Sequence, residues 1–168
     1  MATKLDGLDL KILAALQEDG RMTKQRLAER VHLSPSACFE RLRRLEEGGC
    51  VRGYHADIDL ARIVHATTAW VQVTLQSHHA DDFSRFEKGI AAVTEVLEVY
   101  SIGGGMDYVM KVLAVDIEHY QSIMDRLLAA EIGIAKYYTY FVTKLVKRQL
   151  AYPIHTLLDA QDQAPRLG

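Results

Sequence analysis

The sequence predicts an α+β fold in two parts, a helical first third followed by a remainder of alternating strands and helices. Two changes near residue 50 carry that expectation. Apolar residues recur at helical spacing before it and largely at alternating spacing after it. Charge changes sign as well: Arg21 to Arg52 holds eight Arg/Lys against four acids, a local +4 in a chain of net charge -2, which leaves about -6 for the rest. A length of 168 residues with 49% hydrophobic content suffices for one good-sized core or two small ones.

The first helix begins at Asp6, an N-cap flanked by Leu5 and Leu10 as a hydrophobic staple, with Asp9 at N3 as an acidic variant of the capping box. Leu8, Ile12, Leu13 and Leu16 form its apolar stripe, and Gly20 supplies the stop. A second, short helix starts at Thr23 with Met22 and Leu27 as staple and ends near Arg30. The third has the sharpest start: Ser34 as N-cap, Pro35 at N1 where its missing N–H costs nothing, and Gly48–Gly49 as terminator.

Only Val31, His32 and Leu33 separate the second and third helices, the spacing of a helix-turn-helix. Cys38, Leu42 and Leu45 fall on one stripe, so Ser36, Ala37, Glu40, Arg43 and Arg44 are expected outward, with Phe39 and Arg41 on the flanks. Small residues near the start let such a helix approach base edges, and the arginines can reach phosphates or guanines. With Ser34, these residues are the candidate DNA contacts. A solvated surface helix braced by pairs such as Arg43 with Glu47 is the competing reading. The short turn, the cap and the local positive charge favour DNA.

Val51 to Ile58 reads as a strand leaving the helical unit, and Asp59 to Ala66 as a linker. Thr67 to Gln76 alternates cleanly, with Ala69, Val71, Val73 and Leu75 on one face and Thr68, Trp70, Gln72 and Thr74 on the other. Asp82 to Ala91 is an amphipathic helix, and Thr94 to Ile102 and Met106 to Val115 are strands about a GGG turn. Asp116 caps a further helix, and Ile134 to Val146 closes with a strand. The order βαββαβ predicts a ferredoxin-like antiparallel sheet with both helices on one face. Trp70, Tyr138 and Tyr140 on the uncovered face point to a subunit interface. The domains expected are therefore 1–50 (helix-turn-helix), 51–66 (strand and linker), 67–147 (ferredoxin-like) and 148–168 (tail), the last ten residues disordered.

The run Gly103, Gly104, Gly105, Met106, Asp107 has its own logic. Consecutive glycines let several N–H groups point one way, which suits a carboxylate, and Asp107 can accept an ammonium group. A plain hairpin turn with a solvated Asp107 remains the alternative.

Other chemistry is not indicated. The turn lacks the Gly-Lys-Ser/Thr of a phosphate loop. His78 and His79 with Asp81 and Asp82 read as a polar loop rather than a metal site, and Cys38 as a core thiol. No nucleophile-and-base set proposes an active site, so neither enzymatic activity nor a cofactor or metal is expected. The rival class, a metabolic enzyme with a ferredoxin-like domain, would need clustered perturbed acids or bases. Two cysteines suggest a reducing compartment, and neither a signal peptide nor a membrane-length apolar run is evident. A cytoplasmic, nucleoid-associated protein is expected.

Taken together, LDGLDLKILAALQEDGR, LAERVHLSPSACFERLRRLEEGG, VRGYHADID, GGGMDY and YTYFVTK resemble the Lrp/AsnC family, the feast/famine regulators, over about Leu5 to Lys147. The resemblance implies a DNA-binding helix-turn-helix with Ser34 to Glu46 as recognition helix. It also implies a sheet domain that dimerises, often assembles as a tetramer of dimers, and responds to amino acids. Carried onto this chain, the effector site centres on Gly104, Gly105, Met106, Asp107 and Tyr108, with Gly103 widening the turn beyond the family's pattern. Tyr138, Thr139 or Tyr140 of a neighbouring copy is expected to contribute to the pocket. Double-stranded DNA, an amino acid and further copies of the chain are the partners implied, with no membrane.

Overall fold

A computed structural model describes residues 5–163, which form two compact units. One is built from the chain up to Asp57 together with the segment from Lys147; the other is Ile58–Val146.

The first unit contains α1 (Gly7–Glu18), α2 (Lys24–Arg30) and α3 (Pro35–Glu47). Each begins at the residue whose side chain can cap it. Asp6 accepts from the amides of Leu8 and Asp9, Thr23 from Arg26, and Ser34 from Ala37. Asp9 completes the capping box by accepting from the Asp6 amide. The tight turn between α2 and α3 is a Schellman stop: the Leu33 amide donates to the Ala28 carbonyl at 2.9 Å and the His32 amide to Glu29 at 3.2 Å. That geometry puts His32 at φ 59°, a left-handed position that a non-glycine residue rarely occupies. Ile12, Ala15, Leu27, Ala28, Val31, Cys38, Leu42 and Leu45 make one small core among the three helices.

In the second unit β1 (Thr67–Leu75), α4 (Ala80–Ala91), β2 (Val96–Ser101), β3 (Tyr108–Ala114), α5 (Ile117–Ala129) and β4 (Ile134–Phe141) follow in the expected order. All pairings are antiparallel and the strand order is β2-β3-β1-β4, the ferredoxin-like arrangement. The alternation in β1 resolves as predicted: Ala69, Val71, Val73 and Leu75 are buried with Phe86 and Ile90 of α4 and Ile123, Met124 and Leu127 of α5. Trp70 lies on the other face, opposite Tyr140 of β4 and Lys111 of β3.

Three expectations need correction. Val51 to Ile58 is not a strand, because from Arg52 to Ile58 no backbone amide finds a partner among the described residues, and a strand exists only through a ladder. The closing strand stops at Phe141 rather than Val146. Its neighbour β1 begins at Thr67, so after Ala69 pairs with Phe141 only the Val142 amide still finds a rung, at the Thr68 carbonyl. The tail is also more ordered than expected: α6 (Ile154–Gln163) takes up half of the last ten residues, and 164–168 lie outside the described residues. Its Leu, Ala and Gln are good helix formers, and Pro153 stands just before its start. The segment leading to α6 is pinned to α1, the Tyr152 amide donating to Gln17 Oε1 at 2.6 Å and Gln17 Nε2 to the Tyr152 carbonyl at 3.3 Å.

Candidate DNA interface and effector site

The three buried residues of α3, Cys38, Leu42 and Leu45, fix which side of the helix is free. Ser34, Ser36, Phe39, Glu40, Arg43 and Arg44 are exposed, and Ala37 and Arg41 are half-buried. Phe39 is 45% exposed, unusual for a phenylalanine, and the Lys24 ammonium sits 4.0 Å above its ring. Lys24 opens α2, so the side of α3 bearing small and aromatic residues is flanked by a cation from the neighbouring helix. Nothing in the local pattern of α2 marked Lys24 out; its position follows only from the angle at which the two helices meet.

Arg41 and Arg44 stand differently from Arg43. Arg41 Nη1 donates to Asp6 Oδ2 at 2.7 Å and to Asp9 Oδ1 at 2.8 Å, and Arg44 Nη2 donates to both oxygens of Asp9 at 3.0 Å. The Asp6 carboxyl is held below its ordinary pKa, first by the Asp9 amide and then by Arg41. Arg43 is free of these acids and has only its helical neighbour Glu47, at 3.7 Å. Of the three arginines expected to approach DNA, two are therefore drawn to α1.

The glycine turn joins β2 to β3. Side chains added at Gly103, Gly104 or Gly105 would meet nothing within 4 Å, and only Gly104, at φ 144°, needs a backbone that other residues avoid. Asp107 is not solvated, contrary to the simple-turn alternative. Its Oδ2 accepts from the Leu75 amide at 2.7 Å and its Oδ1 lies 2.9 Å from His78 Nε2, with the side chain only 14% exposed. The Asp107 backbone amide also donates to the Val73 carbonyl at 3.0 Å. The carboxylate thus ties the end of the turn to the end of β1.

The remaining predicted effector residues separate by strand period. Met106 is half-buried at the turn, whereas Tyr108 points under α4, buried against Phe86, with its hydroxyl donating to Glu87 at 2.8 Å. Burial and then Glu87 push the Tyr108 pKa up to about 12. Tyr138 and Tyr140 stand on the open sheet face, but Thr139 points to the helix side, where it bonds the Tyr120 hydroxyl. Those three neighbours in sequence therefore cannot line one pocket together. Beside the turn's stem a cleft of about 340 Å3 opens between α4 and β2, with Glu87, Val99, Ser101 and Tyr108 on its walls. It was not foreseen, since the space between α4 and β2 depends on how the helix packs over the edge of the sheet and not on any local pattern. Among the described residues no cluster of His, Cys, Asp and Glu could hold a metal ion, and no helix is long and apolar enough to cross a membrane.

A capped helix-turn-helix joined in one chain to a ferredoxin-like sheet defines a DNA-binding unit coupled to a sensing unit. Known proteins agree. Residues 5–52 match the winged helix-turn-helix DNA-binding family and residues 68–152 the Lrp/AsnC ligand binding domain. The transcriptional regulatory protein DoeX of Halomonas elongata is 47% identical over 148 residues, 88% of this chain and 94% of its own. The leucine-responsive regulatory protein of Escherichia coli K12 is 33% identical over 90% of this chain and 93% of its own. A transcriptional regulator of Neisseria meningitidis, solved as a complex with L-Met, superposes with a TM-score of 0.84 at 32% identity, over 92% of this chain and 99% of that one. The class is that of a DNA-binding transcriptional regulator with a ligand-binding domain. The chain belongs to the Lrp/AsnC family.

Proposed function

We propose that an amino acid, bound at the glycine turn, sets how copies of this regulator assemble on DNA. The observation that carries the proposal is the turn itself: three glycines open to their surroundings, with a largely buried carboxylate at their foot and a cleft of about 340 Å3 beside the stem at Ser101 and Tyr108. A backbone free of side chains suits an α-carboxylate, and each Asp107 oxygen retains a lone pair for an α-ammonium. The names of its relatives support the same ligand class, one being leucine-responsive and another solved with L-Met.

In this reading the protein acts in the cytoplasm, on the nucleoid, as a homo-oligomer and without a catalytic step. Two copies join through the open sheet face, where Trp70, Tyr138 and Tyr140 present aromatic surface that neither α4 nor α5 covers. Dimers then associate further, up to four, and Tyr138 or Tyr140 of a neighbour closes the effector site. Ser34, Ser36, Ala37, Phe39, Glu40 and Arg43 face the major groove, and two-fold symmetry makes the operator a rough palindrome.

The test is fluorescence anisotropy on the DNA upstream of the protein's own gene, with sedimentation in parallel, screened across the twenty amino acids. One amino acid, or a few of related shape, is expected to change affinity by about 5- to 150-fold, the usual range of coupling. If none moved either the affinity or the assembly, the sensing proposal would be wrong.

A further inference from the structure

Among the described residues Asp9 is the one charged side chain that is fully buried, at 1% exposure. Capping α1 does not require this, since an N3 carboxylate can close a capping box from the helix surface. Burying a carboxylate is costly unless it is paired and hydrogen-bonded. Here every partner is accounted for: the Asp6 amide at 3.1 Å, Arg41 at 2.8 Å, and Arg44 at 3.0 Å to each oxygen. Both arginines belong to α3, one turn apart, and make three bonds to Asp9 between them.

Two consequences follow for the helix that meets DNA. Guanidinium forks leave little freedom about their partner, so the pairing fixes the rotation of α3 about its own axis relative to α1. It also ties two cations of α3 to a buried carboxylate, Arg41 with its side chain 25% exposed and Arg44 with 56%, so that their charge is offset where they stand. The one arginine of α3 not paired to α1 is Arg43, which stands against Glu40, Glu46 and Glu47, so α3 carries no net positive charge. Sequence-independent DNA affinity comes from free cations near phosphates, and each one withheld lowers it. Lys24, poised over Phe39, is placed to supply such a contact instead.

We propose that Asp9 is a positioning residue of the DNA interface: by holding Arg41 and Arg44 it orients α3 and suppresses non-specific binding, leaving sequence readout to Ser36, Phe39 and Glu40 and phosphate contact to Arg43 and Lys24. The inference rests on the DNA-binding reading of α3 and adds a division of labour among its arginines. An exposed Phe39 suits a thymine methyl and Glu40 a cytosine amino group, contacts that a more cationic helix would override by clinging to any backbone.

The experiment compares full-length variants on two duplexes, one selected from a random library by the wild-type chain and one of scrambled sequence, each titrated against salt. Arg43→Gln and Lys24→Gln should each flatten the dependence of log K on log salt by about 0.9, the loss of one phosphate contact, whereas Arg44→Gln should leave the slope unchanged. Asp9→Asn, which keeps the shape but releases the arginines, should bind the scrambled duplex more tightly and cut the preference for the selected one about tenfold. Two results would overturn the proposal: Arg44→Gln flattening the slope as much as Arg43→Gln, or Asp9→Asn weakening both duplexes by one common factor, as a purely structural role would. A wild-type chain that retained neither duplex would instead overturn the DNA-binding reading, and this proposal with it.

Discussion

Replacing Asp107 by Ala should destabilise the sheet unit before it does anything to ligand binding. The ladder between β1 and β3 ends where Val73 faces Tyr108, and two residues on the Leu75 amide has no β3 carbonyl to meet. The Asp107 carboxylate takes that rung, at 2.7 Å, and Leu75 is 3% exposed, so no water can replace it without opening the core. Removing the carboxylate deletes a charge-assisted bond and leaves a buried donor unpaired, two descriptions of one loss of about 2 kcal/mol. In a domain of this size that corresponds to a fall in Tm of roughly 8–16 °C. Asp107→Asn keeps an acceptor oxygen and should cost less than about 1 kcal/mol, while removing the charge that an ammonium would need. Calorimetric melting therefore separates the two roles: Ala reports the rung, and Asn, in a folded protein, reports the effector. An Ala variant melting with the wild type would refute the rung. An Asn variant responding to the effector at the wild-type concentration would move the ammonium contact elsewhere.

Two further outcomes test the sheet. Tyr140→Lys, alone or with Tyr138→Lys, places a charge on a face that the single chain leaves exposed, so it should leave the fold intact and shift sedimentation toward monomer; unchanged sedimentation would exclude that face as the dimer interface. Tyr108 is held neutral by burial, its pKa raised from 10.0 to about 12, so the folded state keeps a proton that the unfolded chain loses first. Its stabilising contribution should be complete below pH 10 and disappear as pH rises toward 12. Denaturation curves of Tyr108→Phe should accordingly fall less steeply over that window than the wild type's, and parallel curves would show that Tyr108 does not carry the effect.

Local signals were legible because they are local. Asp6, Thr23, Ser34 and Asp116 each cap a helix from the position the sequence marks, since capping needs only a side-chain oxygen within three residues of the amide it accepts from. The period of two in Thr67–Leu75 was equally readable, and it set the sheet's inner face and hence where the helices pack. The same rule explains an error. Tyr138, Thr139 and Tyr140 are consecutive, and consecutive strand residues cannot share a face, so grouping them by sequence alone put Thr139 on the wrong side.

What stayed hidden was charge pairing across the fold. Arg41 and Arg44 fall at outward or flanking positions of a helical wheel, and the wheel is right about their Cβ atoms. A guanidinium, however, ends several bonds from its Cβ, far enough to turn back toward an acid on the next helix. Asp9 reads as an N3 capping residue, and it is one, yet the same carboxylate takes two arginines that lie 32 and 35 residues away. Asp107 behaves likewise, meeting Leu75 across 32 residues, so a residue that looks like part of a solvated turn is a rung of the sheet. In each case the sequence shows a charge and its local context, and the fold decides whether that charge faces a ligand or a neighbour. The number of free arginines on α3 is therefore a property of α1 as much as of α3, and a substitution at Asp9, on a helix not expected to meet DNA, is the change most suited to altering how tightly this regulator holds sequences it is not meant to read.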